Sequence, residues 1–423
     1  MSDAAAEACR STAGRGAAPR GGSAAATGPV ASVSVHRDPR DALSAWRDLA
    51  ARAPTTPYQT PDWVLPWIET LGRAAGVEPL IVVARDAAGQ PLALLPLGLQ
   101  RRGRLRVATF LGAKDSNFNM GLFAPGLVLP RAGLVALLRA AAAASGTRVD
   151  LCLFRNQPRA WQGTANPFLA FPHQPSPSFA YWSPLAPDGE AFLKGQLSRD
   201  SRKKLRQKAN RLAALGAVEA FEARGPAALG EVLDAFVAQR TARNAAAGLG
   251  CDDIPALRRF LEGTAGEGGP VAIHALRCGG RIVATLAGIR HGGRFSGMLT
   301  SFADEPEIAR CSPGELLLGE VMKGYCARGF AAFDLGIGEA RYKASYCPQV
   351  EPLFDCLVPL TLPGRAAAGA ERLRLQAKRA IKQSRWAWPL AQRLRRALAA
   401  VRDPRRRGEG SGGPAHEAGG LED

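Results

Sequence analysis

The sequence predicts an α/β protein made of two domains with the same plan. Three observations lead to this fold class. Each half of the 423-residue chain shows helical patterns and then three alternating strand patterns joined by short turns. Each half then continues with a further helix and a further strand, an order that indicates internal duplication. The apolar content of 46% is enough for ordinary cores. We expect each domain to hold a mixed sheet of antiparallel strands flanked by helices.

The elements of the first half follow in a simple order. A short strand and a helix span about 33–51, and Trp46 lies on the apolar face of that helix. A second helix starts near Pro61, with Asp62 as its expected N-terminal cap. The remaining predicted elements are strands at 79–85, 90–100 and 105–111, a helix at 132–145 and a strand at 148–154.

The second half repeats this order after a basic helix at about 190–215. Glycine pairs separate its three central strands, as tight turns require. The predicted elements are helices at 227–247 and after Asp253, strands at 271–277, 281–290 and 294–302, a helix at 312–328, and strands at 330–336 and 353–360. We therefore divide the chain into a disordered tail (1–30), two domains (31–185 and 186–362) and a basic amphipathic tail with a disordered end (363–423).

The net charge of +18 is concentrated in two segments. Ser198–Arg211 carries seven basic residues and one acidic residue, and Arg365–Arg407 carries fourteen and two. The remainder is neutral, which argues against a fold that binds nucleic acid over its whole surface. The first 30 residues lack the apolar core of a signal peptide, and no long apolar window occurs, so we expect a cytoplasmic protein.

Cysteine and histidine usage gives no sign of a metal site. The chain has eight cysteines without a C-x-x-C pair and five histidines without an H-E-x-x-H pattern. We expect reduced thiols and no metal.

The segment from Arg310 to Gly314 is the candidate phosphate site. A glycine-bearing loop at a helix N-terminus offers backbone N–H groups and a favourable dipole to an anion. Ser312 is the expected cap, Pro313 suits the first helical position, and Arg310 is placed to clamp a pyrophosphate. The alternative interpretation is an ordinary, well-formed helix start.

Four stretches together resemble a known family. They are Tyr58–Trp63 with Trp67, Ser198–Arg206, Ser312–Leu317, and Phe333–Gly336 followed by Tyr342 and Lys343. The second half resembles the GNAT acyltransferase fold. The whole layout is similar to the CelD/BcsL group of acetyltransferases, which is associated with bacterial cellulose biosynthesis and related to the FemAB-like tandem GNAT transferases. The loop departs from the usual GNAT pattern between Arg310 and Gly314.

The resemblance implies an acyl-CoA co-substrate and direct transfer in a ternary complex. On this basis Asp334 and Glu339 are candidate bases, and Tyr342 is a candidate acid for the leaving thiolate. Lys343 would bind an anionic group of the substrate or orient a carboxylate. The alternatives are a turn-capping acid for Asp334 and a core aromatic with a solvated neighbour for Tyr342 and Lys343.

The two basic segments are candidate contact surfaces. Arg202, Lys203 and Arg206 are expected to receive an anionic or polysaccharide-type acceptor, or else to form a solvated helix face. In the tail, apolar residues recur at helical spacing among arginines until Pro389 (Leu373, Ala377, Ile381 and Trp388). That composition is typical of a helix lying on an anionic membrane. Nucleic-acid binding, or packing back on the protein, are the alternatives.

The function expected from these observations is an acyl-CoA-dependent N- or O-acyltransferase, with acetyl as the expected group. Its acceptor would be an exopolysaccharide or a cell-envelope component, reached from the cytoplasm at the inner face of the membrane. Two alternatives remain open. One is a non-catalytic, degenerate acyltransferase that acts as a scaffold. The other is a basic nucleic-acid-binding protein, although no helix-turn-helix or RNP motif is present.

Overall fold

The computed structural model describes residues 30–247, 253–338, 340–384 and 386–387. The strands are β1 (Ser32–His36), β2 (Glu78–Arg85), β3 (Pro91–Arg102), β4 (Leu105–Phe110), β5 (Leu122–Phe123), β6 (Leu151–Pro158), β7 (Ala160–Trp161), β8 (Thr164–Ala165), β9 (His173–Pro175), β10 (Ala180–Pro184), β11 (Val218–Glu222), β12 (Val271–Cys278), β13 (Arg281–His291), β14 (Arg294–Phe302), β15 (Ala332–Ile337), β16 (Gln349–Glu351) and β17 (Leu353–Pro359). The helices are α1 (Leu43–Arg52), α2 (Pro61–Trp67), α3 (Arg131–Ala144), α4 (Gly189–Gln196), α5 (Arg199–Ala213), α6 (Gly225–Ala247), α7 (Ile254–Thr264), α8 (Pro306–Ala309), α9 (Pro313–Ala327), α10 (Arg341–Tyr346) and α11 (Leu362–Gln383).

Fifteen of these strands form two large mixed sheets, and β7 and β8 pair with each other. The first has the order β1-β2-β3-β4-β6-β17-β9, with β5 attached to β3. The second has the order β11-β12-β13-β14-β15-β10-β16. In each sheet an antiparallel meander is followed by one parallel pair, β4 with β6 and β14 with β15. The predicted mixed sheets and flanking helices are therefore present.

The two sheets exchange strands along the chain. Strand β10 precedes residue 186 but lies in the second sheet, beside β15. Strand β17 comes late in the chain but lies in the first sheet, between β6 and β9. The predicted division at residues 185 and 362 stays a prediction. The chain passes from the first sheet to the second between β9 and β10, and back to the first sheet between β16 and β17, in each case before the predicted boundary.

The halves also share one apolar core. Trp63 of α2 is fully buried and makes an edge-to-face contact with Phe260 of α7, with ring centroids 5.6 Å apart. The same buried cluster contains Val83 of the first sheet and Ile273 of the second. A continuous core of this kind fixes the two sheets relative to each other, because closely packed interiors resist sliding.

Three local predictions are corrected. The basic helix is two helices, and the chain breaks at Leu197 where Ser198 caps α5 by accepting from the Ser201 amide at 3.1 Å. Strand β11 follows α5 and was not predicted. Asp62 is not the cap of α2, because Pro61 takes the first helical position and moves the boundary back to Thr60.

Helix α11, the described part of the basic tail, packs against the first sheet. Ala368 and Leu375 are buried against Leu153 and Leu357. Thr361 caps the helix by accepting from the Gly364 amide at 3.2 Å. The interpretation that the tail packs back on the protein is therefore confirmed for 362–383, whereas the predicted positions Trp388 and Pro389 lie outside the described residues.

Within the described ranges, every helix of the protein is too short or too polar to cross a bilayer.

Candidate active site

A fork between two parallel strands lies at the centre of the second sheet. Strands β14 and β15 pair only from Arg294 to Ser296 on one side and from Ala332 to Asp334 on the other. Beyond that point β14 stays with β13 and β15 stays with β10, so the two strands diverge toward their carboxyl ends. A gap at the carboxyl ends of parallel strands is a common place for a ligand.

Asn117, from the first half, bridges the start of this fork. Its Nδ2 donates to the Gly297 carbonyl at 2.9 Å, and its Oδ1 accepts from the Ile337 amide at 3.2 Å. Nδ2 also donates to the Tyr58 hydroxyl at 2.6 Å. The amide thus replaces one rung of backbone pairing between strands that have separated. The side chain needs the space left by Gly336, whose φ is +71° and where an added Cβ would lie 2.4 Å from Nδ2.

Asp334 lies at the base of the fork and is fully buried. Its Oδ1 accepts from the Gly336 amide at 2.6 Å, and its Oδ2 lies 3.2 Å from Arg294 Nη2. Among the described residues, that nitrogen has no hydrogen-bond partner of good geometry, so the attraction of opposite charges holds the pair. Burial raises the pKa of the Asp334 carboxyl, against the lowering effect of Arg294.

Three aromatic rings from the first half of the chain surround the Arg294 guanidinium. The carbon at its centre lies 5.0 Å from the ring centroid of Trp161, 5.1 Å from that of Trp182 and 5.9 Å from that of Phe118. Cation–π attraction of this kind fixes a guanidinium while leaving it charged. The first half therefore supplies side chains to the base of the fork in the second half.

Lys343 is also brought to the fork. Its Nζ donates to the Ile337 carbonyl at 2.6 Å, and only 2% of the residue is exposed. Its charge lowers the pKa of Asp334, which indicates that the two groups are neighbours. Two of the four predicted catalytic residues thus lie together, whereas Glu339 falls outside the described residues. Their catalytic roles stay predictions.

The start of α9 differs from the predicted cap. Ser312 has φ +48° and ψ +59°, and its side chain makes no capping hydrogen bond, so that prediction is wrong. The physical reason is the preceding turn: the Cys311 and Ser312 amides already bond to carbonyls of α8 at 2.9 and 3.0 Å. This closure prevents the extended backbone that a capping serine needs. Pro313 takes the first helical position as predicted.

The other two predicted donor-binding residues flank this start. Arg310 is exposed and immediately follows α8. Gly314 lies in the first turn, and an added Cβ would meet Phe302 of β14 at 3.6 Å. Because Phe302 ends β14, the N-terminus of α9 lies beside the open end of the fork. The dipole of this 15-residue helix favours an anion there.

Tyr342 lies near the same end of the fork. The Arg243 guanidinium carbon is 5.8 Å from the Phe302 ring centroid, and the charge of Arg243 acts on Tyr342. Burial raises the pKa of the Tyr342 phenol to about 12. The phenol is therefore protonated at neutral pH, which is the form that a proton donor requires.

One turn later, Tyr346 has an unsatisfied hydroxyl. The residue is 1% exposed, and no hydrogen-bond partner for its Oη occurs among the described residues. Burial raises its pKa, and the neighbouring Glu315 carboxylate acts in the same direction. Glu315 lies in the first turn of α9 and pairs with Lys208 of α5 at 2.5 Å. A buried, unsatisfied hydroxyl beside a helix N-terminus is a natural partner for a bound polar group.

The predicted acceptor residues lie at neighbouring positions of α5 but differ in exposure. Arg202 is half-buried, and its buried Nε has no hydrogen-bond partner in the described part of the chain. Lys203 and Arg206 are exposed. Because residues four apart on a helix are neighbours, Arg202 and Arg206 lie on the same side of α5, and the role of these three side chains stays a prediction.

Sequence reasoning missed the residues that join the halves. Arg294 follows a Gly-Gly turn and Asn117 lies in a loop, and neither position shows a periodic or motif signal. Tyr58 belongs to the Tyr58–Trp63 stretch that resembles the family, but the sequence does not indicate a role for it. Tyr346 could have been found, since it repeats Tyr342 at a spacing of four on a short helix.

No group of three or more potential ligands suited to a metal ion occurs in the described ranges. The six cysteines found there, which exclude Cys9 and Cys251, are buried and free.

A comparison with known families finds a match in the second half. Residues 199–344 match a family model described as an acetyltransferase (GNAT) domain, a span that runs from α5 into α10 and contains the fork and α9. No curated protein sequence matches the chain.

Several solved structures are similar to this chain over most of its length. FemX has 10% identity and a TM-score of 0.52, over 76% of this chain and 96% of its own. A tandem GNAT protein from the clavulanic acid biosynthesis pathway has 12% identity and a TM-score of 0.42, over 78% and 98%. L-PGS from Bacillus licheniformis has 15% identity and a TM-score of 0.43, over 76% and 97%. The likeness to FemX shows a common fold.

The predicted fold class is thereby confirmed, whereas membership of the CelD/BcsL group stays a prediction. The match of residues 199–344 to the acetyltransferase (GNAT) domain model supports an acyltransferase.

Proposed function

We propose that the protein transfers an acyl group, with acetyl as the expected group, from acyl-CoA to an amine or hydroxyl of an exopolysaccharide or cell-envelope acceptor. The observation that carries the proposal is the fork between β14 and β15, which opens beside the N-terminus of α9 within the GNAT domain. The fork offers unpaired backbone groups to an extended donor, and the helix N-terminus offers a site for its phosphates.

The donor would be held by residues around this opening. Gly314 allows a phosphate to approach the backbone, and the exposed Arg310 would add a bidentate contact. The unsatisfied hydroxyl of Tyr346 is a further polar partner. Acyl-CoA supplies the activated thioester, and the remaining chemistry belongs to the chain.

The reaction needs a proton donor for the leaving sulfur and a base for the proton that the acceptor nucleophile loses. The acceptor nucleophile forms a bond to the acyl carbon, the carbon–sulfur bond breaks, and the thiolate takes a proton. We assign the last step to Tyr342, whose phenol is protonated at neutral pH and which lies near the open end of the fork. We assign Glu339 as the base that takes the proton lost by the acceptor nucleophile. Asp334 we assign to positioning, since it is wholly buried and held by Gly336 and Arg294.

The acceptor is proposed to be anionic or polysaccharide-like. The outer face of α5 presents Lys203 and Arg206 to solvent. Arg202, which is half-buried, would reach an anionic group that entered between α5 and α9. A location at the inner face of the membrane, where envelope precursors occur, belongs to the same proposal.

Calorimetric titration of acetyl-CoA into the full chain tests the donor site. The tail must stay, because Leu375 of α11 is part of the protein interior. We expect saturable binding that weakens at least fivefold in Arg310→Gln. The matched control is Arg259→Gln, an exposed arginine on α7. Absence of saturable binding by the folded protein, or equal weakening in both variants, would contradict the donor assignment.

One observation favours a second candidate, a non-catalytic scaffold. At the start of α9 the Ser312 amide bonds to the Ala309 carbonyl and the Glu315 amide to the Ser312 carbonyl, each at 3.0 Å, and Pro313 has no N–H, which leaves fewer donors for a phosphate. The two candidates differ in turnover. Release of free CoA with an envelope-derived acceptor, lost in Tyr342→Phe, supports the enzyme. Acetyl-CoA binding without any turnover supports the scaffold.

A further inference from the structure

Helix α11 has an apolar ridge on the side that faces away from the protein. Ala368, Leu375 and Lys382, spaced seven residues apart, lie on the buried face. The opposite side, by helical periodicity, carries Leu362 and Leu373 with small residues between and after them. We define the α11 ridge by its outward apolar residues (Leu362, Ala366, Leu373, Ala377, Ala380 and Ile381), with Trp386 just beyond the helix.

The exposure of this ridge is unusual for the molecule. Leu362 is 75% exposed, Leu373 68%, Ile381 42% and Trp386 87%. Large apolar side chains exposed together along one line mark a contact surface, whereas single ones need no explanation. Val128, at 85%, is an isolated example elsewhere in the described chain.

Basic residues accompany the ridge. Arg365 and Arg372 are exposed on one flank. The helix itself carries six basic residues and one acidic residue, Glu371, which pairs with Arg374 at 2.7 Å. The flank therefore presents uncompensated positive charge beside the apolar surface.

The first sheet holds α11 in this orientation. Arg379 donates to the Ser176 carbonyl at 2.6 Å, and Lys382 donates to the Ser178 hydroxyl at 3.0 Å. Together with buried Leu375, these contacts prevent the helix from turning its ridge inward. The first sheet therefore holds the apolar side of α11 toward solvent, and the helix need not rotate to expose it.

We propose that the α11 ridge lies on an anionic lipid bilayer, with Leu373 and Trp386 in the interfacial region and Arg365 and Arg372 among the headgroups. A helix of 22 residues is about 33 Å long, which suits a helix lying in the plane of the surface. Nucleic acid would engage the arginines but would leave the apolar side chains in water, so a bilayer fits both parts of the surface. The proposal deepens the membrane location in the proposed function.

Vesicle flotation of the full chain tests this contact. The probes are vesicles of phosphatidylcholine with about one third phosphatidylglycerol, and vesicles of phosphatidylcholine alone. We expect wild-type protein to float with the anionic vesicles and at least tenfold less with the neutral ones. The variant L373S/W386S should lose at least tenfold in partitioning to the anionic vesicles, because it removes apolar contact without changing charge.

Matched controls distinguish binding through the α11 ridge from non-specific binding through other exposed apolar or basic residues. Val128→Ser removes an equally exposed apolar side chain and should float like wild type. The charge reversal R365E/R372E should abolish flotation, whereas R131E/R139E on α3, two exposed arginines, should reduce it by less than threefold. Far-UV circular dichroism and thermal melting verify that the exposed-site variants remain folded.

The outcomes decide the proposal. It is overturned if wild type does not float with anionic vesicles, or if L373S/W386S floats as wild type does, which would assign binding to charge alone. Acetyl-CoA titration of the same variants should give the wild-type affinity. Flotation without acetyl-CoA binding would sink the proposed function and leave the membrane contact standing.

Discussion

The bridge formed by Asn117 makes a quantitative prediction. Asn117→Ala removes the hydrogen bonds to the Gly297 carbonyl, the Ile337 amide and the Tyr58 hydroxyl. Each such bond contributes about 0.5–1.5 kcal/mol net, and the partners left behind lie at buried or partly buried positions. We expect the free energy of unfolding to fall by about 2–4 kcal/mol, measured by urea denaturation at 25 °C with circular dichroism.

A second asparagine provides the control. Asn244 is as buried as Asn117, at 4% against 5% exposure, but neither atom of its amide has a hydrogen-bond partner within the described ranges. Asn244→Ala should therefore change stability by less than about 1 kcal/mol, since it removes polar groups that gain nothing from folding. The reasoning fails if the two substitutions have equal effects, or if Asn117→Ala is within 1 kcal/mol of wild type.

The same variant tests whether the bridge matters for the donor site. If Asn117 fixes the width of the fork, Asn117→Ala should raise the Kd for acetyl-CoA at a temperature where the protein is still folded. Asn244→Ala should leave that Kd unchanged. An unaltered Kd in both variants would mean that the bridge stabilises the fold without shaping the donor site.

Three further predictions concern packing, titration and backbone strain. Leu375→Ala should lower the free energy of unfolding by about 2–5 kcal/mol in urea denaturation, whereas Leu373→Ala, on the exposed side of the same helix, should change it by less than about 0.5 kcal/mol; equal effects would mean that α11 is not docked. Burial lowers the pKa of His274 to about 4 from 6.5, so the unfolded chain binds a proton that the folded protein refuses, and stability should fall as the pH drops from 6.5 toward 4. Between pH 7 and 5 this loss amounts to about 2 kcal/mol and should disappear in His274→Gln; a pH dependence unchanged by that substitution would contradict the assignment. Gly336→Ala should destabilise by about 1–3 kcal/mol more than Gly329→Ala, because both have φ near +70° but only Gly336 faces a side chain within 3 Å; equal melting temperatures for the two variants would refute this contact.

Much of the fold followed from local patterns in the sequence. The meander strands β12, β13 and β14 agree with their predicted bounds within one residue, because Gly-Gly turns and alternation are signals carried by neighbouring residues. The break at Leu197 was missed because α4 and α5 are both good helical sequences. Only the Ser198 side chain separates them.

Long-range contacts explain what could not be predicted. Nothing local in Ala180–Pro184 or Leu353–Pro359 says which sheet each strand joins, because both are short apolar strands that suit either. For the same reason the sequence indicated Asp334 and Lys343 as site residues but did not indicate Arg294. The position of Arg294 depends on aromatic rings from another part of the chain. The predicted cap at Ser312 failed because a preceding turn, α8, controls its backbone.

The position of β17 has a consequence for how the protein is made. Strand β6 needs β17 as its neighbour, but the ribosome delivers β17 only after nearly all of the second half. At about 5–20 residues per second, the edge of β6 waits on the order of ten to forty seconds without its partner. An open apolar edge is a template for pairing with other chains. A nascent chain of this protein should therefore depend on chaperones until its last strand emerges, and fragments that end before residue 353 should aggregate.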